Sequence, residues 1–271
     1  MIRYLRFVIN VSNWWLHLAV KMGLTAKDPL LFETRNRILI EVPRRLFREF
    51  KEIFIEDCYR VGSTGGIPEH PIVVDIGANV GFFSLFAASR FPGVRIFAYE
   101  PVPKNFSQLT RNQDLNRHVE MTCIPKAVYS YSGEVRLELD PYGYSGEGTP
   151  GLDPHDRFTT GARVTSETSS PYATLQVPCA TLSDLLDTHG ISECYLLKMD
   201  CEGAEFDILY SCPEAHLHRI EQMAIEVHRG GATPERTIKG LSRFLESCGF
   251  HTRCFDDILL GWRSKAPRSF F

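Results

Sequence analysis

None of the eight cysteines forms a C-x-x-C pair, and no such pair is followed by H-x-x-x-H, so a structural zinc module is not encoded. Cys123 and Cys179 sit instead inside apolar runs, where cysteine behaves as a small hydrophobe. The set reads as reduced thiols of an intracellular, cytoplasmic protein. No long basic run with interleaved aromatics is present, and 30 Lys and Arg against 33 Asp and Glu leave a net charge of −3. A nucleic-acid partner is therefore not expected. Within the first 23 residues no uninterrupted apolar run approaches the ~20 needed to span a bilayer. No small-x-small cleavage site follows Arg3 and Arg6, which argues against a signal peptide.

What is present begins at residues 73–84, VVDIGANVGFFS. An apolar run ends in Asp75, passes through Gly77 and Gly81, and opens onto the helix-like pattern Phe82, Phe83, Leu85, Phe86. This is a buried parallel strand, a tight turn and a helix N-terminus, the corner on which α/β proteins seat nucleotides. The two glycines let the backbone turn and approach a ligand where a Cβ would collide. A second strand over 94–100 ends in Glu100, whose carboxylate can accept from both hydroxyls of a ribose. The dinucleotide fingerprint G-x-G-x-x-G is missing its middle glycine, because Asn79 stands there. A side chain at that point obstructs a pyrophosphate and suits a ligand without one. S-adenosylmethionine is such a ligand, with its ammonium expected near Asp75 and its carboxylate near the N–H groups of the turn.

Residues 1–23 place Tyr4, Phe7, Val8, Val11, Trp14, Trp15, Leu18 and Met22 at helical spacing, with Asn10, Asn13 and His17 on the other side. One amphipathic helix is expected, packed on the rest of the protein or offering a peripheral membrane or oligomer contact. A strand over 38–42 and a helix over 46–58 complete an N-terminal helical extension, residues 1–60. A turn-rich linker at 62–68 then leads into a second region, 61–271. Alternating helices and strands follow: helix 104–115, strands 119–124 and 134–139, strand 175–179, and a helix capped by Thr181. The long insertion 140–173 is rich in Gly, Pro, Ser and Thr and has no period, as a lid or a disordered segment would. Its Asp140-Pro141-Tyr142 triplet is missing the tandem proline of the amino-methyltransferase D-P-P-Y signature and comes too early in the strand order.

Two further strand ends carry chemistry. In the run from Tyr195 to Glu205, Lys198, Asp200 and Glu202 alternate, so they share one face where the strand ends. In the next strand, Glu226 and His228 do the same. Taken alone, the first group also fits a capping carboxylate with a solvated lysine, and the histidine a structural role.

Together these blocks make the chain resemble the FkbM family of S-adenosylmethionine-dependent methyltransferases. The resemblance spans about 38–255 and rests on VVDIGANVGFFS, the helix start at Pro101-Val102-Pro103-Lys104-Asn105-Phe106, TLSDLL (181–186), LLKMDCEGAEFDIL (196–209) and IEVH (225–228). It implies a class I methyltransferase, Rossmann-like α/β fold: a seven-stranded, mostly parallel sheet with helices on both faces and a closing antiparallel hairpin at 250–255 and 258–262. It further implies O-methylation of a sugar, glycoside or other small natural-product hydroxyl. Cys201 stands where the family usually carries an aliphatic residue. On this reading Asp75, Gly77, Asn79, Gly81, Glu100 and Asn105 hold the cofactor. His228, with an ordinary pKa near ~6.5, is the first choice as general base. Asp200, Glu202 or Glu226 would serve if burial raises a pKa, and Lys198 would orient Asp200 or stabilise an alkoxide. Asp200, Glu226 and His228 could alternatively hold Mg²⁺ or another divalent cation. Two other classes use the same features: a nicotinamide-dependent sugar oxidoreductase or epimerase, which would need a pyrophosphate to fit beside Asn79 and for which no Y-x-x-x-K dyad of the short-chain type is found, and a non-catalytic membrane-surface scaffold.

Overall fold

The computed structural model describes residues 2–60, 67–139, 158–159, 161–165, 173–228 and 233–263. Most of the expected linker, the Asp140-Pro141-Tyr142 triplet and most of 140–173 lie outside the described residues. Among those described, no helix is long and apolar enough to cross a membrane.

The N-terminus is two helices, α1 (Ile2–Asn10) and α2 (Trp15–Lys21), where one was expected. The chain breaks because residues between them have better partners than a helix offers. Val11 bridges to Thr34, the Ser12 N–H donates to the Glu33 carbonyl at 2.7 Å, and the Asn13 carboxamide bonds the backbone of Leu31 and Glu33. The break also divides the expected apolar face: part of it is buried as expected, part is exposed, and a residue of the expected polar side turns inward. Phe7, Val11 and His17 are buried, while Tyr4, Trp15, Leu18 and Met22 are exposed. His17 lies among the rings of Tyr4, Phe7 and Phe47, and burial lowers its pKa, so it packs as a neutral ring.

The hairpin β1 (Leu30–Glu33) and β2 (Leu39–Val42) follows, then α3 (Phe47–Phe54). A lone two-stranded ribbon is marginal in water; this one is held on both flanks and beneath. Leu30 and Phe32 point inward, and the Phe32 ring stacks on Phe50 with centroids 4.6 Å apart. Asn13 pairs with the outer strand's backbone, while Asn112 and Asn116 pair with Glu41 and Leu39 of β2. Phe50 and Phe54 in turn meet Phe82 and Phe86, so the extension shares one hydrophobic core with the sheet beyond it.

The remaining elements alternate as the sequence predicts: β3 (Ile72–Ile76), α4 (Phe82–Arg90), β4 (Arg95–Tyr99), α5 (Pro103–Leu115) and β5 (Glu120–Ile124). Next come β6 (Ala127–Val128), β7 (Gly133–Leu139), β8 (Ala162–Val164), β9 (Ala173–Ala180) and α6 (Leu182–Thr188). The chain closes with β10 (Cys194–Met199), α7 (Glu205–Ser211), α8 (Glu214–Leu217), β11 (Ile220–Glu226), α9 (Ile238–Ser247), β12 (His251–Phe255) and β13 (Ile258–Trp262). Seven strands form the main sheet in the order β12-β13-β11-β10-β3-β4-β5, with β13 running antiparallel to both its neighbours. All six residues of β10 are buried, as expected of a central parallel strand covered on both faces. The strand order reverses between β3 and β10, which opens a crevice at their C-terminal ends. A second, four-stranded sheet in the order β6-β9-β7-β8 was not anticipated; it uses residues on either side of the long insertion and, through β8, part of it.

Candidate active site

The turn after β3 is shaped by contact with the end of β10. Gly77 has φ +73°, and a Cβ there would lie 1.9 Å from the Asp200 carbonyl oxygen, so no side chain fits. At Gly81, φ +88°, a Cβ would press on Leu109 Cδ1 at 2.6 Å. Asn79 is also left-handed, φ 51°, a conformation asparagine tolerates better than most residues. Its N–H donates to Glu100 Oε2 at 2.8 Å, and the Val102 N–H donates to Glu100 Oε1 at 2.8 Å. Glu100 thus ties the first turn to the start of α5. Burial pushes its carboxyl up to about 7, against the opposing pull of those two N–H groups. The Asn79 Oδ1 is buried with no hydrogen-bond partner among the described residues.

These groups face a cleft that is open to solvent. Gly77, Asn79, Tyr99, Glu100 and Pro101 line one side of it; Asp200, Cys201 and Glu202 line its edge. The second sheet supplies Val128, Leu137, Ala162 and Val164. Asn105 also lines the cleft, but its amide is committed: it donates to the Thr159 carbonyl at 2.7 Å and accepts from the Thr159 N–H at 3.2 Å. It therefore pins the end of the insertion onto α5. Asp75 is not a lining residue. It is fully buried beneath the turn, where its Oδ2 accepts from Ser84 Oγ at 2.7 Å and its Oδ1 lies 3.2 Å from Lys198 Nζ. An ammonium-binding role for Asp75 gives way to one of anchoring Lys198.

Lys198 is itself buried, donating to the Gly77 carbonyl at 2.9 Å with Asp200 Oδ2 at 4.0 Å. Burial alone would lower its pKa, but the charges of Asp75 and Asp200 outweigh it and raise it. Lys198 stays an ammonium that binds the turn to the strand end.

Beyond β10 the chain turns through Glu202, φ 52°, and Gly203, φ +103°. A glutamate in that conformation is strained by of order 1–3 kcal/mol, and such strain collects where a side chain is being aimed. The Glu202 carboxylate reaches within 3.6 Å of His228 Nε2, and Asp200 Oδ1 lies 3.8 Å from the same atom. His228 Nδ1 is 2.9 Å from Oε1 of Glu205, which also accepts from the Cys201 N–H at 3.0 Å. Burial would lower the His228 pKa, but the hydrogen bond and charge of Glu205, with Asp200 and Glu202 behind, raise it to about 10. The histidine is therefore an imidazolium at neutral pH, and the expectation of an unperturbed imidazole base is corrected. Burial pushes Glu202 up to about 7, with His228 opposing, and raises Glu226.

Two residues of the cluster have no local pattern that marks them. Glu205 lies inside the CEGAE motif but on α7, past the strand face that Lys198, Asp200 and Glu202 share. Tyr59 precedes the linker in a stretch without period. It is buried, and its hydroxyl sits 2.9 Å from Glu226 Oε2 and 3.2 Å from Asp200 Oδ2, so the extension touches both strand ends. With one proton, Tyr59 donates to one carboxylate at a time.

Asp200, Glu226 and His228 each offer a ligand atom within 4.8 Å of the others. With Nδ1 held by Glu205, the His228 Nε2 is oriented as the histidine of a carboxylate–histidine–metal arrangement requires. The residues present fit a divalent cation.

A seven-stranded sheet in this order, with a glycine turn, an acidic second strand and a polar edge at the switch point, defines a class I methyltransferase. The chain belongs to the FkbM methyltransferases: the family model described as Methyltransferase FkbM domain matches residues 75–252. It is 28% identical over 216 residues to Methyltransferase sdnD of Sordaria araneosa, covering 74% of this chain and 80% of that one. It is 29% identical over 194 residues to the 31-O-demethyl-FK506 methyltransferase FkbM of Streptomyces tacrolimicus, covering 66% of this chain and 73% of the relative. The crystal structure of Methyltransferase FkbM from Methylobacillus flagellatus KT shares the fold, with a TM-score of 0.50 and 16% identity over 74% of this chain and 45% of that one.

Proposed function

We propose that the protein is an S-adenosylmethionine-dependent O-methyltransferase acting on a hydroxyl of a sugar, glycoside or other small natural product. The observation that carries this is a cleft which joins the glycine turn and second-strand carboxylate, at Asn79 and Glu100, to a charged edge at Asp200 and Glu202. Support also comes from the Streptomyces relative, whose named substrate is missing a methyl on an oxygen. The free lone pairs of Glu100 suit ribose hydroxyls, and the orphaned Asn79 Oδ1 suits an N–H donor of the ligand. Bound there, S-adenosylmethionine supplies a methyl carbon already activated by its sulfonium.

The residues' own task is alignment and proton removal. Holding an acceptor oxygen in line can supply roughly 7–11 kcal/mol. Proton acceptance falls to the Glu202 carboxylate, which lines the cleft, while the His228 imidazolium, fixed by Glu205, stands behind it and favours the ionised form. Such help is typically worth ~10²–10⁴-fold. A divalent cation held by Asp200, Glu226 and His228 would instead acidify the hydroxyl directly.

Calorimetric titration of the metal-free protein with S-adenosylhomocysteine, and separately with NAD, tests the cofactor. Micromolar binding of S-adenosylhomocysteine alone is expected; binding of NAD and not of S-adenosylhomocysteine would overturn the reading in favour of an oxidoreductase.

A further inference from the structure

Among the described residues, eight of the eleven exposed large hydrophobic residues fall between residues 4 and 31. On α2 and the residue that caps its C-terminus, Trp15, Leu18 and Met22 recur at i, i+3 and i+7, with Trp15 57% and Met22 63% exposed. On α1, Leu5 and Ile9 stand one turn apart, and Leu24 follows at 71% exposure. His17 turns inward to Phe7 and Phe47, so α2 packs by one side and presents the other. A face of this kind, concentrated in one region, marks an interaction surface.

Charge says what covers it. Residues 1–48 hold nine Lys and Arg against three Asp and Glu, a local net charge of +6, whereas residues 49–271 hold 21 against 30, a net −9. Lys21, Lys27 and Arg37 are exposed on the same extension. A second copy docking face to face would bring +6 against +6. An anionic bilayer surface satisfies both features, apolar side chains entering the interface and basic ones meeting headgroups.

We propose that the N-terminal extension docks on anionic membrane surfaces through Leu5, Ile9, Trp15, Leu18, Met22 and Leu24, with the flanking basic residues adding attraction. The surface is separate from the cleft, so the inference stands whatever the acceptor is.

The test is co-sedimentation of the full chain with vesicles of phosphatidylcholine alone, or of equal parts phosphatidylcholine and phosphatidylglycerol, at low and raised salt. Binding only to the anionic vesicles, weakened by salt, is expected. The triple substitution Trp15→Glu, Leu18→Glu, Met22→Glu should reduce it by about tenfold or more. The pair Lys21→Glu, Lys27→Glu leaves the apolar face intact and should reduce it severalfold through charge alone. Because all five positions are exposed, each variant should keep the wild-type affinity for S-adenosylhomocysteine or, failing that, the wild-type melting temperature, which separates lost docking from lost folding. No sedimentation with either vesicle would overturn the proposal, as would equal binding to neutral vesicles. So would a wild-type dimer, seen by light scattering, that the triple variant dissociates.

Discussion

The strand-edge site and the N-terminal extension depart from ordinary burial in opposite directions. At the strand edge, Asp75, Lys198, Glu205 and Glu100 are charged residues taken out of water. In the extension, Tyr4, Trp15, Leu18 and Met22 are large apolar residues left in it. The first departure is compensated internally: Lys198 has Asp75 and the Gly77 carbonyl, Glu205 has His228 and the Cys201 N–H, Glu100 has two backbone donors. The second has no compensation within the described chain. Buried charge that is paired points to chemistry performed inside the protein; exposed apolar surface that is unpaired points to contact outside it.

The contrast can be broken most severely at the site. His228→Ala should lower turnover by ~10²–10⁴-fold while leaving S-adenosylhomocysteine affinity within a few-fold; a fully active variant would remove His228 and its Glu205 tether from the mechanism. Glu100→Ala should weaken S-adenosylhomocysteine binding by about tenfold or more, since it removes both the ribose partner and the tie between Asn79 and Val102. Unchanged affinity in calorimetry would mean the cofactor lies elsewhere.

Tyr59 belongs to both regions and tests whether they are independent. Tyr59→Phe should reduce kcat severalfold with little change in the KM for S-adenosylmethionine, because one hydrogen bond to Glu226 or Asp200 is lost and the packing on Phe83 stays. Equal losses in kcat and melting temperature would make it a packing residue only.

The smallest effect concerns pH. Glu100 and Glu202 titrate near 7 in the folded protein, above the ordinary 4.5, and His228 near 10, above 6.5. Raised pKa values mean that the folded state holds its protons more tightly. Their contribution is complete below the ordinary values and fades as pH climbs through the folded ones. The ligand-free protein should therefore melt at a higher temperature at about pH 5.5 than at about pH 8. A flat or rising profile in scanning calorimetry would show that these groups are not buried as described.

Much of the sheet was legible because each strand announces itself locally. The run 73–84 carries its own turn and helix, and the Lys198, Asp200, Glu202 alternation locates a strand end without a partner. What was not legible depends on distant neighbours. The helix break at Val11–Asn13 exists because Thr34 and Leu31 compete for those residues, which no periodicity reports. The second sheet was missed because β8 is three residues long and β6 two. The place of Asp75 at a strand end suggests a ligand contact; only Lys198 and Ser84, brought in by β10 and α4, show that it faces the other way. Tyr59 and Glu205 belong to the site through tertiary contact alone.

The asparagine side chains that flank the β1–β2 hairpin have a consequence for how the protein behaves when nothing covers its apolar helices. An open strand edge beside a sticky surface invites a neighbouring molecule to add its own strand and begin a fibre. Here the outer edge is answered by Asn13 and the inner one by Asn112 and Asn116, carboxamides that imitate a neighbouring strand without being able to extend it. Greasy contacts between molecules can then form and dissolve, but this ribbon offers no template for them to set into a growing β-aggregate.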